Sequence, residues 1–284
     1  MKFELDQTEF AAFQIGLIDS GERNIFLETV NTNKQIDTNI FYCKGIKGVC
    51  YSCNIYGGVR IHISFDEDTD LFNEDVASFV QSTMQKSRHE SCLIWIWNKN
   101  YKIIDFLKER FYIQPDCGVY YYASIEFIMR RETFNKTCGS LALDIRPYEE
   151  KYIDEYLYLL DGAMTFTSPP TNFTANRDNY ARQFDERSKT NSFEAFWKGD
   201  QLIGLYWRKN AEIEIMAVAN DHQRKGYGSE ILTRAIEMIF KNTTGNYAYL
   251  YAVDWNKKGQ SFYKKYGMEQ NGHSYLLRLN NLRV

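Results

Sequence analysis

Residues 223–228 combine glycines, basic side chains and a following helical pattern. The segment is Gln-Arg-Lys-Gly-Tyr-Gly, and an apolar strand pattern at 212–218 precedes it. Glycines let an anion approach the backbone, and the unpaired N–H groups at a helix N-terminus carry the positive end of the helix dipole. The segment is therefore predicted to be a cradle for a phosphate or pyrophosphate group.

Two well-known phosphate-binding loops do not fit this spacing. A P-loop has its lysine after the last glycine, whereas Lys225 precedes Gly226. A dinucleotide-binding loop needs a third glycine where this chain has Ile231. Neither a P-loop nucleotide site nor a dinucleotide site is expected here.

The segment resembles the acetyl-CoA motif of the GNAT acetyltransferases, (Gln/Arg)-x-x-Gly-x-(Gly/Ala). Gln223, Gly226 and Gly228 fill its three fixed positions. Residues 256–268 are similar to the second segment of that family, in which an asparagine ends the fifth strand and a tyrosine follows in the next helix. Asn256 and Tyr263 occupy these positions. The resemblance covers roughly residues 141–280.

This resemblance implies that acetyl-CoA binds where the fourth and fifth strands of the family fold separate. Backbone groups at the end of strand 212–218 would hold the pantetheine arm, the Asn256 side chain would bond to it, and the backbone of the cradle would hold the pyrophosphate. The implied cofactor-binding residues are Met216, Ala217, Val218, Gln223, Arg224, Lys225, Gly226, Tyr227, Gly228, Ser229 and Asn256.

The resemblance also implies two catalytic residues. Tyr263 has the position of the family's general acid, which protonates the departing thiolate. Glu212 has the place of the catalytic glutamate of the histone-acetylating branch, and Glu214, two residues on and expected on the same strand face, is a second candidate base beside a water relay. A core tyrosine and solvated strand carboxylates are the ordinary alternatives.

The expected reaction is acetyl transfer from acetyl-CoA to a primary amine of a small molecule or protein, by direct attack in a ternary complex. A covalent acyl-cysteine route is not expected, because all six cysteines precede residue 139. An acyl-CoA-binding sensor or assembly module without turnover is the alternative.

Composition and charge further limit the classes of partner that are expected. The formal net charge of −3 gives no general attraction to nucleic acid. No apolar run is long enough for a membrane span, and the amino terminus lacks a signal-peptide pattern. A cytoplasmic protein without nucleic-acid or membrane partners is expected, as a monomer or a homodimer.

The surrounding elements predict an α/β fold with two GNAT-like domains, each a central mixed, mostly antiparallel sheet flanked by helices. Strand and helix patterns at 59–65, 71–84, 92–97 and 98–111 correspond in order to those at 212–218, 227–241, 247–253 and 256–267. This correspondence indicates an internal duplication with domains at 1–135 and 141–284.

The first half lacks the features of a cofactor site. At the place of the cradle, residues 65–70 are Phe-Asp-Glu-Asp-Thr-Asp, whose acids would repel phosphate, and Leu107 stands where Tyr263 is expected. A degenerate copy that shapes the acceptor pocket or the domain interface is predicted, with an unrelated α/β domain as the alternative. Residues 165–171 and 173–184 are the other expected pocket walls.

Cys50 and Cys53 form a CxxC pair, with Cys43 and His62 nearby. A structural zinc site usually shows a second CxxC, and this pair lies in an alternating apolar segment where cysteine behaves as a small core residue. No metal is expected.

Overall fold

The computed structural model describes residues 5–32, 34–55, 58–87, 91–111, 122–135, 141–165 and 172–280. Contacts divide the chain into two compact units. Unit 1 comprises Met1–Glu126, Ala252–Asp254 and Gln270–Val284, and unit 2 comprises Phe127–Tyr251 and Trp255–Glu269. The fold is mixed α/β with a mostly antiparallel sheet flanked by helices, which confirms the predicted fold class.

Unit 1 contains both strands and helices. The strands are β1 (Gln35–Cys43), β2 (Ile46–Ile55), β3 (Gly58–Phe65) and β4 (Ser91–Trp97), and the helices are α1 (Leu5–Gly16), α2 (Ser20–Asn31), α3 (Asn73–Ser87) and α4 (Tyr101–Arg110). The strand β11 (Glu269–Asn280) completes the order β1-β2-β3-β4-β11. The β3–β4 pair is parallel, and the other pairs are antiparallel.

Helices cover both faces of the unit 1 strands. Val80 of α3 and Leu107 of α4 belong to one buried cluster with the apolar side chains of β3 and β4. Ile15 of α1 and Phe26 of α2 belong to another, which includes Tyr51 of β2. Burial on both faces explains why β3 is almost fully buried in spite of its alternating sequence.

The sequence patterns missed α2, whose mean composition is polar. Its start is fixed by a side chain: Asp19 is the N-cap and accepts a hydrogen bond from the Glu22 N–H at 2.7 Å. Such a cap satisfies one of the unpaired donors of the first turn. The helix forms because of this cap and of the buried Phe26 face, although its sequence lacks a strong helical stripe.

Unit 2 contains β6 (Asp144–Arg146), β7 (Phe193–Lys198), β8 (Gln201–Lys209), β9 (Glu212–Val218) and β10 (Tyr247–Val253), with α5 (Ile153–Ala163), α6 (Arg177–Lys189), α7 (Tyr227–Asn242) and α8 (Lys257–Tyr266). The strand β5 (Tyr122–Arg130) contributes its residues from Phe127 onward. The strand order is β5-β10-β9-β8-β7-β6.

Two arginines fix α7 within unit 2. Arg234 of α7 donates to both carboxylate oxygens of Glu194 on β7, at 2.8 and 2.7 Å, and the Tyr206 hydroxyl donates to the same carboxylate at 2.8 Å. Arg131 donates to the carbonyls of Phe240 and Thr243 at 2.8 Å, at the C-terminal end of α7. Cations at a helix C-terminus are favourable. The middle and the C-terminal end of α7 are thereby held in place.

The contact-based units and the predicted domain limits divide the chain differently. The limits 1–135 and 141–284 assign β11 to the second half and all of β5 to the first. Because β11 pairs with β4 over Ser274↔Trp97 to Asn280↔Ser91, its residues from Gln270 belong to unit 1. Residues 136–140, the predicted boundary, lie outside the described residues. The limits of independently folding domains stay a prediction.

The CxxC pair does not converge. Cys50 packs in the cluster with α3 and α4, whereas Cys53 packs in the cluster with α1 and α2. Residues three apart in a strand point to opposite faces, so the two thiols cannot share a ligand. Among the described residues there is no group of three or more His, Cys, Asp or Glu side chains that could hold a metal ion.

In the part of the chain that the structure describes, no helix is long and apolar enough to cross a bilayer.

Candidate active site

The strands β9 and β10 are joined at one end only. Their parallel pairing consists of Tyr249↔Glu212, supported by a 2.9 Å hydrogen bond from the Tyr249 N–H to the Ala211 carbonyl. On its other edge β9 pairs with β8 along its whole length, from Glu212 to Val218. Beyond Glu212, therefore, the edge of β9 toward β10 carries no strand pairing, and a gap opens beside Met216, Ala217 and Val218.

The loop after β9 leads into the predicted cradle. Asn220–His222 forms a single 3₁₀ turn, Arg224 has a φ of 62°, and Gly226 has a φ of 90° as the N-cap of α7. These left-handed residues turn the chain sharply into the helix, a conformation that glycine adopts at little cost. Arg224 and Lys225 are exposed.

Backbone donors converge at this turn. None of the N–H groups of residues 224–228 has a hydrogen bond to a residue that the structure describes. They lie at the positive end of the 16-residue helix α7. The Ser229 N–H, also predicted to bind cofactor, instead donates to the Gly226 carbonyl at 3.0 Å. Its hydroxyl is thus the group of Ser229 left to face an anion.

Gln223 shapes the loop from within. Its side-chain amide donates to the Val218 carbonyl at 3.2 Å and to Asn220 Oδ1 at 3.0 Å, and its N–H donates to the Asn220 carbonyl at 3.3 Å. These bonds tie the end of β9 to the start of the cradle. The side chain of Tyr227 is buried and packs edge-on against His222, so this residue offers its backbone alone.

Gly228 lies beside α8. A Cβ atom built at this position would lie 3.4 Å from the Phe262 ring of α8 and 3.8 Å from Val218 Cγ2, which are ordinary contact distances. Of the two fixed glycines of the motif, Gly226 is therefore the one whose backbone conformation favours glycine.

Asn256 is the N-cap of α8, at the end of the gap. Its Oδ1 accepts from the Gly259 N–H at 2.9 Å. Its Nδ2 has no hydrogen bond to any described residue. The side chain thus starts the helix with one atom and presents a free amide donor with the other.

Tyr263 lies on α8 between two phenylalanine rings. Its ring centroid is 5.5 Å from that of Phe127 and 5.3 Å from that of Phe262. Burial raises the pKa of Tyr263 to about 12. No hydrogen bond joins its hydroxyl to the residues that the structure describes. The phenol therefore stays protonated and is an available donor across the physiological pH range.

The two candidate bases differ in their surroundings. The β8–β9 register passes from Trp207↔Ile215 to Arg208↔Ile213, so Glu214 is the extra residue of a β-bulge. Arg187 of α6 donates to Glu214 Oε2 at 2.5 and 3.1 Å. Glu214 is thus neutralised by an ion pair. Glu212 is half-buried at the junction of β9 and β10.

A row of tyrosines lies beside Glu212. The rings of Tyr247, Tyr249 and Tyr251 follow one another along β10, with centroids 6.0 and 5.7 Å apart, and they are half-buried. The residues between them are buried on the opposite face. Because Tyr249 is the register partner of Glu212, this aromatic face adjoins the candidate base.

The corresponding strands of unit 1 are closed. β3 and β4 pair continuously from Val59↔Cys92 to Ile63↔Ile96. The counterpart of α7 is α3, whose first turn carries Glu74 and Asp75. Acids at a helix N-terminus disfavour a bound phosphate. That the first half has no cofactor site stays a prediction.

Sequence patterns did not indicate the contacts that three residues make. Phe127 contacts Tyr263, Arg187 neutralises Glu214, and Asn100 bonds to the end of β3. Each acts on a residue distant in sequence, so spacing gives no sign of it.

Two segments were expected to form walls of the acceptor pocket. Residues 166–171 of the first lie outside the described residues. The second, residues 173–184, includes the first part of α6 and contributes to a buried aromatic cluster.

The gap in the strands, the predicted cradle and α8 lie in one segment of the sequence. Residues 161–268 match the model of the acetyltransferase (GNAT) family. This part of the chain, which bears α7, α8 and both strands of the gap, is similar to that family. The resemblance inferred from the sequence is therefore confirmed.

Solved structures extend the likeness beyond the matched segment. A GCN5-related N-acetyltransferase from Sphaerobacter thermophilus is similar with a TM-score of 0.54 and 11% identity, over 90% of this chain and 85% of that one. A Drosophila protein has a TM-score of 0.57 and 7% identity, over 97% and 96% of the two chains.

A functionally unknown conserved protein from Staphylococcus epidermidis has a TM-score of 0.53 and 14% identity, over 88% of this chain and 97% of that one. At these identities the likeness concerns the fold, and it runs through both units. No curated protein sequence matches the chain significantly.

Proposed function

We propose that this protein is an N-acetyltransferase that moves the acetyl group of acetyl-CoA to a primary amine of a small molecule or protein. The observation that carries the proposal is the gap between β9 and β10, which opens beyond Glu212↔Tyr249 and leads directly to the unbonded N–H groups of residues 224–228. An acyl-CoA offers the matching chemistry, an amide-bearing arm that ends in a pyrophosphate.

In this proposal the cofactor is held largely by backbone. The N–H groups of residues 224–228 bind the pyrophosphate, with Arg224 and Lys225 adding positive charge at the rim. The free edge of β9 at Met216, Ala217 and Val218 pairs with the pantetheine amides, and Asn256 Nδ2 adds a side-chain donor. Gln223 keeps the loop in shape.

The chemistry needs a base, an oxyanion donor and an acid. Glu212 takes a proton from the acceptor ammonium, whose nitrogen then attacks the acetyl carbonyl carbon. An N–H on the free edge of β9 stabilises the developing oxyanion, an effect of about 2.7 to 4 kcal/mol per donor in comparable sites. As the C–S bond breaks, the Tyr263 hydroxyl gives its proton to the sulfur, and the attacking nitrogen loses its second proton, which returns to the Tyr263 oxygen through water and leaves a neutral amide.

The acceptor is proposed to approach along the tyrosine row of β10. Tyrosine faces attract ammonium groups by about 0.5 to 2 kcal/mol. Tyr249 adjoins Glu212, so an amine that crosses the row reaches the base. Unit 1, with its closed strands, is proposed to bind no cofactor.

The test follows thiol release from acetyl-CoA across a panel of amines, with the acetylated product identified by mass spectrometry. Wild type should release thiol with at least one amine, and Tyr263→Phe should reduce the rate by roughly a hundredfold or more, the usual contribution of general acid catalysis. Tyr266→Phe is the matched control, because Tyr266 lies on the same helix and bonds to Thr233 at 2.6 Å.

The acyl-CoA-binding sensor without turnover is the second candidate. It predicts that CoA binds to the wild type, measured by calorimetry, while no amine gives thiol release. Substituting propionyl- or butyryl-CoA in the same assay shows whether a longer acyl group is preferred.

A further inference from the structure

We propose that Phe127 is a positioning residue for the general acid, an inference that rests on the function proposed above for Tyr263. Phe127 lies on β5, outside the segment 161–268 that matches the family model. Its ring is fully buried, and its centroid is 5.5 Å from the Tyr263 ring at an interplanar angle of 47°. A strand from the first half of the sequence thus supplies one wall around the acid.

The other wall is Phe262, which lies next to Tyr263 on α8. Its ring meets that of Tyr263 at 5.3 Å and 63°, and it lies beside Gly228, where an added Cβ would be 3.4 Å from it. Phe262 therefore adjoins the start of α7. Phe127 is the wall that comes from a different element, the strand β5.

Ring packing, rather than hydrogen bonding, sets the direction of the phenol. The Tyr263 hydroxyl has no hydrogen bond to a described residue, so no polar partner fixes the side-chain torsion. Tilted aromatic contacts of this kind favour particular ring orientations. Phe127 thereby holds the ring in one orientation and keeps water from its inner side.

This role separates catalysis from cofactor binding. Phe127 is not part of the cradle, so its loss should leave the affinity for CoA unchanged. A hydroxyl displaced by about 1 Å from its working position costs on the order of a hundredfold in rate. Water beside the ring should also lower the pKa of Tyr263 from about 12 toward the ordinary tyrosine value.

The experiment compares Phe127→Ala and Phe127→Leu with the control Phe134→Ala. Phe134 follows β5 within unit 2, and its ring is 5.5 Å from that of Phe240 on α7. Phe127→Ala should reduce kcat roughly ten- to a hundredfold, with the Kd for CoA unchanged and the alkaline limb of the kcat profile moved to lower pH. Phe127→Leu, which keeps apolar volume, should be intermediate.

A direct measurement of the phenol keeps the test independent of folding losses. Tyrosines labelled with ¹³C at Cζ are titrated by NMR, and the Tyr263 signal is assigned by its loss in Tyr263→Phe. The signal should titrate at lower pH in Phe127→Ala than in Phe134→Ala. Equal titration in the two variants, or equal kcat after correction for the folded fraction, overturns the role of Phe127.

Failure of the proposed function gives a different result. A wild type that binds CoA and releases no thiol with any amine overturns both the acetyltransferase function and the catalytic role of Phe127. Turnover that is lost in Tyr263→Phe and unchanged in Phe127→Ala overturns the present inference alone.

Discussion

The side chain of Asn100 holds the backbone of Phe65 from both sides. Its Oδ1 accepts from the Phe65 N–H at 3.0 Å, and its Nδ2 donates to the Phe65 carbonyl at 3.0 Å and to the Glu67 carbonyl at 3.3 Å. Asn100 is the N-cap of α4, as Asn256 is of α8. The same residue in the same position thus closes the strand ends in unit 1 and leaves them open in unit 2.

The first prediction concerns this contrast. Asn100→Ala leaves the buried N–H and carbonyl of Phe65 unpaired, and each such group costs about 1 to 3 kcal/mol, so we expect a loss of about 2 to 4 kcal/mol in the free energy of unfolding. Urea denaturation measures it. CoA affinity should not change. Asn256→Ala should show the converse, a weaker Kd for CoA with a smaller loss of stability, about 1 kcal/mol for the cap.

The second prediction concerns Gly226, where a substitution would strain the backbone and also change the shape of the cradle. Gly226→Ala places a side chain at a φ of 90°, at a cost of roughly 1 to 2 kcal/mol, although its Cβ would have room, 3.5 Å from Leu141 Cδ1. If the turn relaxes, the N–H groups no longer converge, and the Kd for CoA should rise at least about tenfold. Calorimetric titration with CoA measures this change.

Gly199→Ala is the control for that strain. Gly199 has a φ of 62° in the turn between β7 and β8, with nothing within 4 Å of an added Cβ. It should lower stability by a similar amount without changing CoA affinity. Equal CoA affinities in the two variants would contradict the assignment of residues 224–228 as the anion site.

The third prediction distinguishes the two glutamates of β9. Glu212→Gln should reduce kcat by roughly a hundredfold and leave a rate that rises with pH, because the amine must then lose its proton without help. Glu214→Gln breaks the ion pair with Arg187. Because both side chains of this ion pair are partly exposed, the substitution should change kcat little. The pH dependence of kcat for each variant is the measurement, and a reversed order would assign the base to Glu214.

The cradle was predicted from its glycines and the helix pattern that follows, and Asn256 and Tyr263 from the family resemblance, because both motifs are local in sequence. The unpaired edge of β9 followed only from the family resemblance. The placement of β11 beside β4 could not be predicted, because nothing in the sequence of β11 indicates which strand it pairs with. Phe127 and Asn100 also escaped prediction, because their roles depend on contacts formed only in the folded chain.

The last prediction concerns a buried ionic group in unit 1. Glu22 of α2 binds Arg60 at 2.7 Å and also bonds to Nε2 of His62, which is fully buried and stacks on Tyr51. Burial lowers the pKa of His62, against the opposing effect of Glu22. Burial alone would raise the pKa of Glu22, but His62 and Arg60 lower it. The folded state therefore holds a neutral imidazole that donates to an ionised carboxylate.

The sign of the pH effect follows from the lowered pKa of His62. The unfolded chain binds a proton at the ordinary value near 6.5, and the folded chain binds it at lower pH, so the unfolded state takes up more protons in between. The free energy of unfolding should keep its full value above about pH 6.5. It should decrease at lower pH, by about 1.4 kcal/mol for each unit by which the His62 pKa is depressed. Urea denaturation from pH 7.5 to 5 measures this slope.

His62→Phe keeps the stacking on Tyr51 and removes the titrating group. It should be less stable than the wild type at pH 7.5, because Glu22 loses a hydrogen bond, yet its stability should vary less between pH 6.5 and 5. His273→Gln, on β11, should retain the wild-type slope. A slope unchanged in His62→Phe would mean that another group controls the acid sensitivity of unit 1.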